Sequence, residues 1–210
     1  MRKILLAAAA VTCLALTGCN DNSGSVDSGN GPTAKQPSAT ASTGDPSASP
    51  APGGAALALG TPARTVGAKT IGILEITPRT VVHTAKGGGA TSKYGTFVIV
   101  TMLEKSLSAN PADEETAASG GGWKWVGPDG RTTAAGNGNA GRIVLAGYDG
   151  HGPIQPGASQ SRAQVFDLTP AQARGGSAVY TDGTKSPSRW AIPAQDAGPD
   201  VAAVRQRLTP

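Results

Sequence analysis

The sequence predicts an all-β protein, an antiparallel β-sandwich of about seven short strands behind a disordered linker. Three observations lead there. Between Thr65 and Pro193, short apolar runs alternate with glycine and proline, and no long helical periodicity appears. One run, Gly95 to Leu103, is apolar at odd and even positions alike, the pattern of a strand covered on both faces. Asn20 to Ala56 has one branched aliphatic residue, Val26, and no aromatic one, too little apolar surface to offset the entropy of ordering.

The chain begins with two basic residues, Arg2 and Lys3, and then Ile4 to Leu16 is apolar apart from Thr12 and Cys13. As a helix that run covers roughly 20 Å, short of the ~30 Å hydrocarbon core, but it suits the core of an export signal. Leu16-Thr17-Gly18-Cys19 resembles the bacterial lipobox. Residues 1–18 are therefore expected to be removed and Cys19 to carry a diacylglycerol. One acyl chain holds a protein only marginally, whereas two, at ~0.8 kcal/mol per buried CH₂, anchor it stably.

Residues 19–56 then read as the lipidated cysteine and a Ser/Thr/Pro/Gly-rich tether with a mean span of roughly 30–35 Å. Its composition also suits O-glycosylation. Removing Arg2 and Lys3 leaves 16 Lys+Arg against 14 Asp+Glu, so the formal charge falls from +4 to +2. That balance gives no reason to expect nucleic acid as a partner, which calls for a clustered basic face. Cys13 departs with the signal and Cys19 becomes a thioether, so residues 57–195 must fold without a disulfide.

The strands follow in order. Thr70 to Ile76 is the first, stopped by Thr77-Pro78, with Thr80 to His83 continuing it after a bend. Gly95 to Leu103 is the strongest, with Phe97, Ile99 and Leu103 on one face and Val98, Val100 and Met102 on the other. Trp123 to Val126 comes next and ends in the turn Gly127-Pro128-Asp129-Gly130. Ile143 to Leu145, Arg162 to Leu168, Ala178 to Thr181 and Trp190 to Ile192 complete the set. Residues 196–210 are expected to be a flexible or shortly helical tail, with Val201, Val204 and Leu208 on one face.

Four segments, GTFVIVTMLEKS (Gly95 to Ser106), WKWVGPDGRTT (Trp123 to Thr133), IQPGASQSRAQVFDLTP (Ile154 to Pro170) and SRWAIP (Ser188 to Pro193), resemble the DUF4352 / MPT63-like family of exported bacterial domains. Gly95, Phe97, Val98 and Val100 fit its first strand, and Asp129-Gly130 its turn. Pro156-Gly157, then Val165, Phe166 and Pro170, fit its next strand, with one extra residue before the proline. Lys105-Ser106 stands where the family has an asparagine, and a long loop to Gly122 follows. The resemblance implies an immunoglobulin-like sandwich and an exported, often lipidated, location. It carries no catalytic motif.

Few residues suggest chemistry. Gly136-Asn137-Gly138-Asn139-Ala140-Gly141 matches the dinucleotide fingerprint letter for letter, but no helix follows to face a pyrophosphate, and it reads as a loop. Asp149 and His151 are the nearest approach to an acid–base pair, without a nucleophile elbow. His83 and His151 lie too far apart in sequence to suggest a metal site and read as exposed loop residues. Asp113-Glu114-Glu115 lacks the spacing of a calcium loop. Trp123 and Trp125 share a strand face, either as core beside Phe97 and Trp190 or as a contact for a ligand. The expected function is thus a monomeric, lipid-anchored, extracytoplasmic binding module for a protein or cell-envelope partner, with no catalytic residues, metal or cofactor. Its recognition is expected on the loops Ser106 to Gly122 and Gly127 to Arg142. The alternative is a lipoprotein binding a small ligand or envelope glycan in a pocket near the tryptophans.

Overall fold

The computed structural model describes residues 55–209; the signal segment, Cys19 and nearly all of the tether lie outside them. The strands begin with β1 (Leu57–Ala58), β2 (Ala63–Val66), β3 (Ile73–Thr84), β4 (Lys86–Gly87), β5 (Ala90–Thr91) and β6 (Thr96–Ser106). After the connection 107–121 come β7 (Gly122–Val126), β8 (Thr132–Ala134) and β9 (Ser159–Leu168). Helix α1 (Pro170–Ala173), β10 (Ser177–Thr181), β11 (Pro187–Ala191) and helix α2 (Val201–Leu208) complete the domain.

A five-stranded sheet, β1-β11-β10-β7-β8, faces a four-stranded sheet, β2-β3-β6-β9, and β4 and β5 form a small hairpin. The β10–β11 hairpin returns to pair with β7, while β6 pairs with β9 in the opposite sheet. That is an immunoglobulin-like arrangement, with Trp125 buried at 0% exposure on the central strand β7. Two details correct the sequence expectation. The strand set is richer than seven, because β1, β2, β8 and the β4–β5 hairpin are too short to show an apolar period. The pairing is not wholly antiparallel either, since β1 runs parallel to β11, Leu57 opposite Trp190.

Inside the sandwich Val98, Val100, Met102 and Phe166 meet Trp123, Trp125, Tyr180 and Trp190 from the other sheet. Trp123 lies 5.2 Å from Tyr180 and 5.6 Å from Trp190 between ring centroids, and Trp125 lies 5.7 Å from Phe166, all tilted pairs. Pro78 does not stop its strand. β3 continues through it, and the register to β6 shifts between Pro78 and Thr80, leaving Arg79 bulged and exposed. A bulge is one of the few places in a sheet that tolerates proline. It also exchanges the faces: Leu74 and Ile76 enter the inter-sheet core from even positions, and beyond the bulge Val81 does so from an odd one.

The second face of the four-stranded sheet is buried as well. Val82, Phe97, Ile99 and Val165 lie beneath Ile143, Leu145, Val204 and Leu208. Two expectations change here. Phe97 is fully buried, but in this outer layer rather than beside the tryptophans. Ile143 to Leu145 forms no strand; it is a covering segment with Ile143 and Leu145 turned inward and Val144 66% exposed. Of the two states expected for the tail, the short helix is the one formed, with Val204 at 0% and Leu208 at 7% exposure. Its apolar residues recur every three to four positions, the spacing of one helix face.

The long edge strand β9 is closed along its outer side by the same covering segment. Gly136 N–H donates to the Val165 carbonyl at 2.9 Å, and Asp149 forms a bridge with Arg162. Ending the chain after Gln195 would remove the Val204 and Leu208 cover, so the shortened chain should unfold at markedly lower urea and bind a hydrophobic dye. In the full chain, Leu208→Ala should cost about 2–5 kcal/mol by urea denaturation. Midpoints that neither change moves would show that α2 contributes no cover.

Candidate functional site

The residues with chemical potential gather at two places where a long connection leaves a sheet. The first is the end of the inter-sheet core beneath the connection 107–121. Glu104 continues the inward series Val98, Val100, Met102 along β6, and Arg162 precedes the inward Gln164 and Phe166 on β9. The core therefore ends in a polar pair, with Arg162 Nη1 3.4 Å from Glu104 Oε2.

Arg162 is 4% exposed and is gripped on several sides. Nη1 also lies 3.1 Å from Glu114 Oε2 and 3.5 Å from Asp113 Oδ1, and Nη2 donates to the Gly152 carbonyl at 2.5 Å and Gln160 Oε1 at 3.0 Å. Trp123 Nε1–H donates to the other Glu114 oxygen. Glu115 N–H donates to the Tyr180 hydroxyl at 2.7 Å, and Ala112 pairs with Ile154. Together these bonds hold Asp113-Glu114-Glu115 against the sandwich. Among the described residues no group of three His, Cys, Asp or Glu side chains is placed to hold a metal ion, and here a guanidinium occupies the centre of the carboxylates.

Glu104 has no hydrogen-bond partner of its own and is 0% exposed. Burial, reinforced by the neighbouring Glu114 charge, pushes its carboxyl up to about 10, so it carries its proton at neutral pH. Burial works against the Arg162 charge, and the acidic groups around it, Glu104 (only when ionised), Glu114 and Asp113, work the other way and raise its pKa. The same burial pushes the Tyr180 phenol up.

The second place lies where β9 ends and β6 begins. The Asp167 carboxylate, on a residue 1% exposed, accepts from Ser92 Oγ at 2.5 Å and from the backbone N–H groups of Lys93, Tyr94 and Asn139 at 2.8–3.1 Å. Burial works to raise its pKa, but the Ser92, Asn139, Lys93 and Tyr94 donors outweigh it and hold the carboxyl below its usual value. Asn137 binds the Asp167 backbone through both ends of its amide, Oδ1 accepting at 2.9 Å and Nδ2 donating at 2.7 Å. Gly136 to Gly141 is thus a clamp on an edge strand, and the short 3-10 turn Ala140–Arg142 follows it instead of a nucleotide-binding helix. Asp182 repeats the device in the β10–β11 turn, accepting from Val66, Thr184 and Ser186 N–H and so tying β2 to the opposite sheet.

The other sequence candidates fall into place. Trp123 and Trp125, at 5% and 0% exposure, are core residues, so a ligand stacked on the pair would have to displace the core. Their indole N–H groups are taken up internally, Trp125 by the Gln172 carbonyl at 2.9 Å. His151 is an exposed loop residue whose Nδ1 lies 3.2 Å from the Asp149 backbone carbonyl. The Asp149 carboxylate instead accepts from Gly147 N–H at 3.0 Å, so no acid–base dyad is assembled there. His83 is not in a loop. It sits on β3 with its side chain 15% exposed and Nδ1 3.5 Å from Asp196. Sequence reasoning missed Glu104, Arg162 and Asp167; for Glu104 the available signal was a charge at an inward position of an otherwise apolar strand.

No family model matches the chain, and no curated protein matches it. Among solved structures, the crystal structure of a conserved hypothetical protein from Bacillus anthracis is similar to it, with a TM-score of 0.42 and 13% identity. That likeness covers 63% of this chain and 94% of the other.

The charges set a pH dependence. Glu104 releases its proton near 4.5 when unfolded and near 10 when folded, so its contribution to stability is complete below about 4.5 and is lost as pH climbs toward 10. Asp167 and Asp182 are held below their usual 3.8, so theirs is lost only as pH falls through that region. Stability should therefore peak at mildly acidic pH and decline by at most about 1.4 kcal/mol per pH unit above it. Urea midpoints at about pH 5, 7 and 9 should show that decline, and Glu104→Gln should flatten it. A Gln variant with the wild-type slope would take the proton away from Glu104.

Proposed function

We propose that this chain is an extracytoplasmic lipoprotein, acylated on Cys19 and tethered to the membrane surface by residues 20–56. Its immunoglobulin-like sandwich serves as a non-catalytic module that binds a protein partner. The observation that carries this reading is the use made of the reactive side chains. Arg162, Glu114, Asp167 and Asp182 are all engaged within the domain, and what they hold in place are connections between strands. Loops fixed on a rigid scaffold present a recognition surface with little ordering left to lose on binding.

The sequence resemblance to exported DUF4352 / MPT63-like domains supports the same reading, as does the lipobox-like Leu16 to Cys19. Burial of all three indoles speaks against the alternative, a ligand pocket built on the tryptophans.

A photo-crosslinking residue at Ala118 or Arg131, both exposed on the held connections, should give one discrete adduct on intact cells, and the same residue at Arg189 on β11 should give none. Equal labelling at all three positions, or none at any, would count against a loop-borne partner site. Cys19→Ser should abolish metabolic labelling by fatty acid and leave the chain either as uncleaved precursor or in the medium. A wild-type chain that is unlabelled and freely secreted would remove the membrane from the reading.

A further inference from the structure

Beside the Asp167 clamp lies a cleft of about 550 Å³, within the usual size range of ligand sites. Tyr94 forms one wall, Asp129 and Arg131 from the β7–β8 turn another, and Asn137, Thr133 and Gln172 line the remainder. Tyr94 is 45% exposed, whereas the other aromatic side chains among the described residues are buried or half-buried.

The Tyr94 ring is held in position. It lies against Gly138, where an added Cβ would come 3.0 Å from ring atom Cε2 and 2.6 Å from Asp167 Oδ2. Gly138 also has φ +55, so a side chain is disfavoured there on two counts. Lys93 Nζ stands 5.4 Å from the ring centroid. On the facing side the backbone is fixed: Thr169 and Gln172 form a reciprocal capping box, and Gly127 N–H donates to the Arg131 carbonyl across the turn at 2.9 Å. Gln172 Oε1 accepts from Thr169, while its amide N–H groups and the Tyr94 hydroxyl have no hydrogen-bond partner among the described residues.

The chemistry of the walls narrows the ligand. Asp129 and Arg131 carry opposite charges and lie 3.7 Å apart, and the Asp167 carboxylate, which also lines the cleft, is already taken up by Ser92 and three backbone N–H groups, so neither an anion nor a cation is favoured overall. An apolar ligand would cover the Gln172 amide and the Thr133 hydroxyl without giving them partners, and would strip water from the ion pair. A pyranose ring has the complementary character, an apolar C–H face that stacks on an aromatic ring and a rim of hydroxyls that both donate and accept. We infer that this cleft binds an uncharged saccharide, with one sugar ring stacked on Tyr94 and its hydroxyls bonded by Asp129, Arg131 and Gln172. The site goes beyond the protein-partner reading and does not rest on it: it shares the Gly127 to Arg142 connection with that surface, but it uses neither the connection 107–121 nor the lipid anchor.

The test is a titration of the full chain in detergent with chitotriose, cellotriose and maltotriose, each to about 10 mM, by calorimetry and by ¹H–¹⁵N spectra of the indole groups. At least one neutral trisaccharide should bind. Tyr94→Ala should weaken it about ten-fold, while Tyr94→Phe, which keeps the stacking face, should change it little. The Trp125 indole signal should shift, since its N–H is bonded to the Gln172 carbonyl, and the Trp190 signal, bonded to the Thr61 carbonyl, should not. A urea midpoint for each variant separates loss of binding from loss of fold, and Gln172→Ala gives a second variant that leaves Tyr94 in place. Absence of binding by all three sugars, or binding that neither Tyr94→Ala nor Gln172→Ala weakens, would overturn the assignment.

Discussion

Phe97 and Val98 are adjacent in the chain, both are fully buried, and they point to opposite sides of β6, so the sheet that carries them has to be covered twice. Much of the architecture follows from that demand. The five-stranded sheet covers one side with its aromatic side chains, and the segment around Ile143 and the helix α2 cover the other. A connection and the last helix, which would be ordinary surface in a two-layer sandwich, become parts of the core. The domain has no cysteine among its described residues, so this double burial replaces the covalent staple common in small exported folds.

Charge is used at the margins of that core. A hydrogen bond to an ionised group contributes about 1.5–3 kcal/mol, against about 0.5–1.5 kcal/mol for a neutral one. Asp167, Asp182 and Arg162 each sit where a connection must be held to a sheet, and each has several partners. Asp167 ties the start of β6 and the 137–139 loop to the end of β9, and the neighbouring cleft takes its shape from that tie. Glu104 follows a different rule. Burial and the neighbouring Glu114 charge outweigh the Arg162 guanidinium, so Glu104 stays buried as a neutral acid.

The sandwich was legible because its central strands are long enough to show their period. Gly95 to Leu103 displayed its two faces in the order that the structure realises. The sequence does not say which face meets which layer, because alternation records that two faces are buried and not what lies on them. Phe97 was misplaced for that reason. Ile143 to Leu145 looked like a strand because a short apolar run has the same composition whether it pairs or simply covers. Pro78 looked like a terminator because a bulge becomes visible only against a partner strand. The polar clamps were harder still. Asp167 accepts from residues 28 to 75 positions away, and no local spacing announces such a convergence.

Closing the outer side of β9 also bears on how the domain meets its own copies. An unpaired edge of that length is a template onto which another chain can add a strand, the first step toward fibres. Gly136, Asn137 and Asp149 occupy that edge from within the same chain, using main-chain and side-chain amides in place of a neighbouring strand. The glycine–asparagine loop is therefore a guard against templated association. Its value grows with the local concentration of the chain, because edge-to-edge encounters then become more frequent.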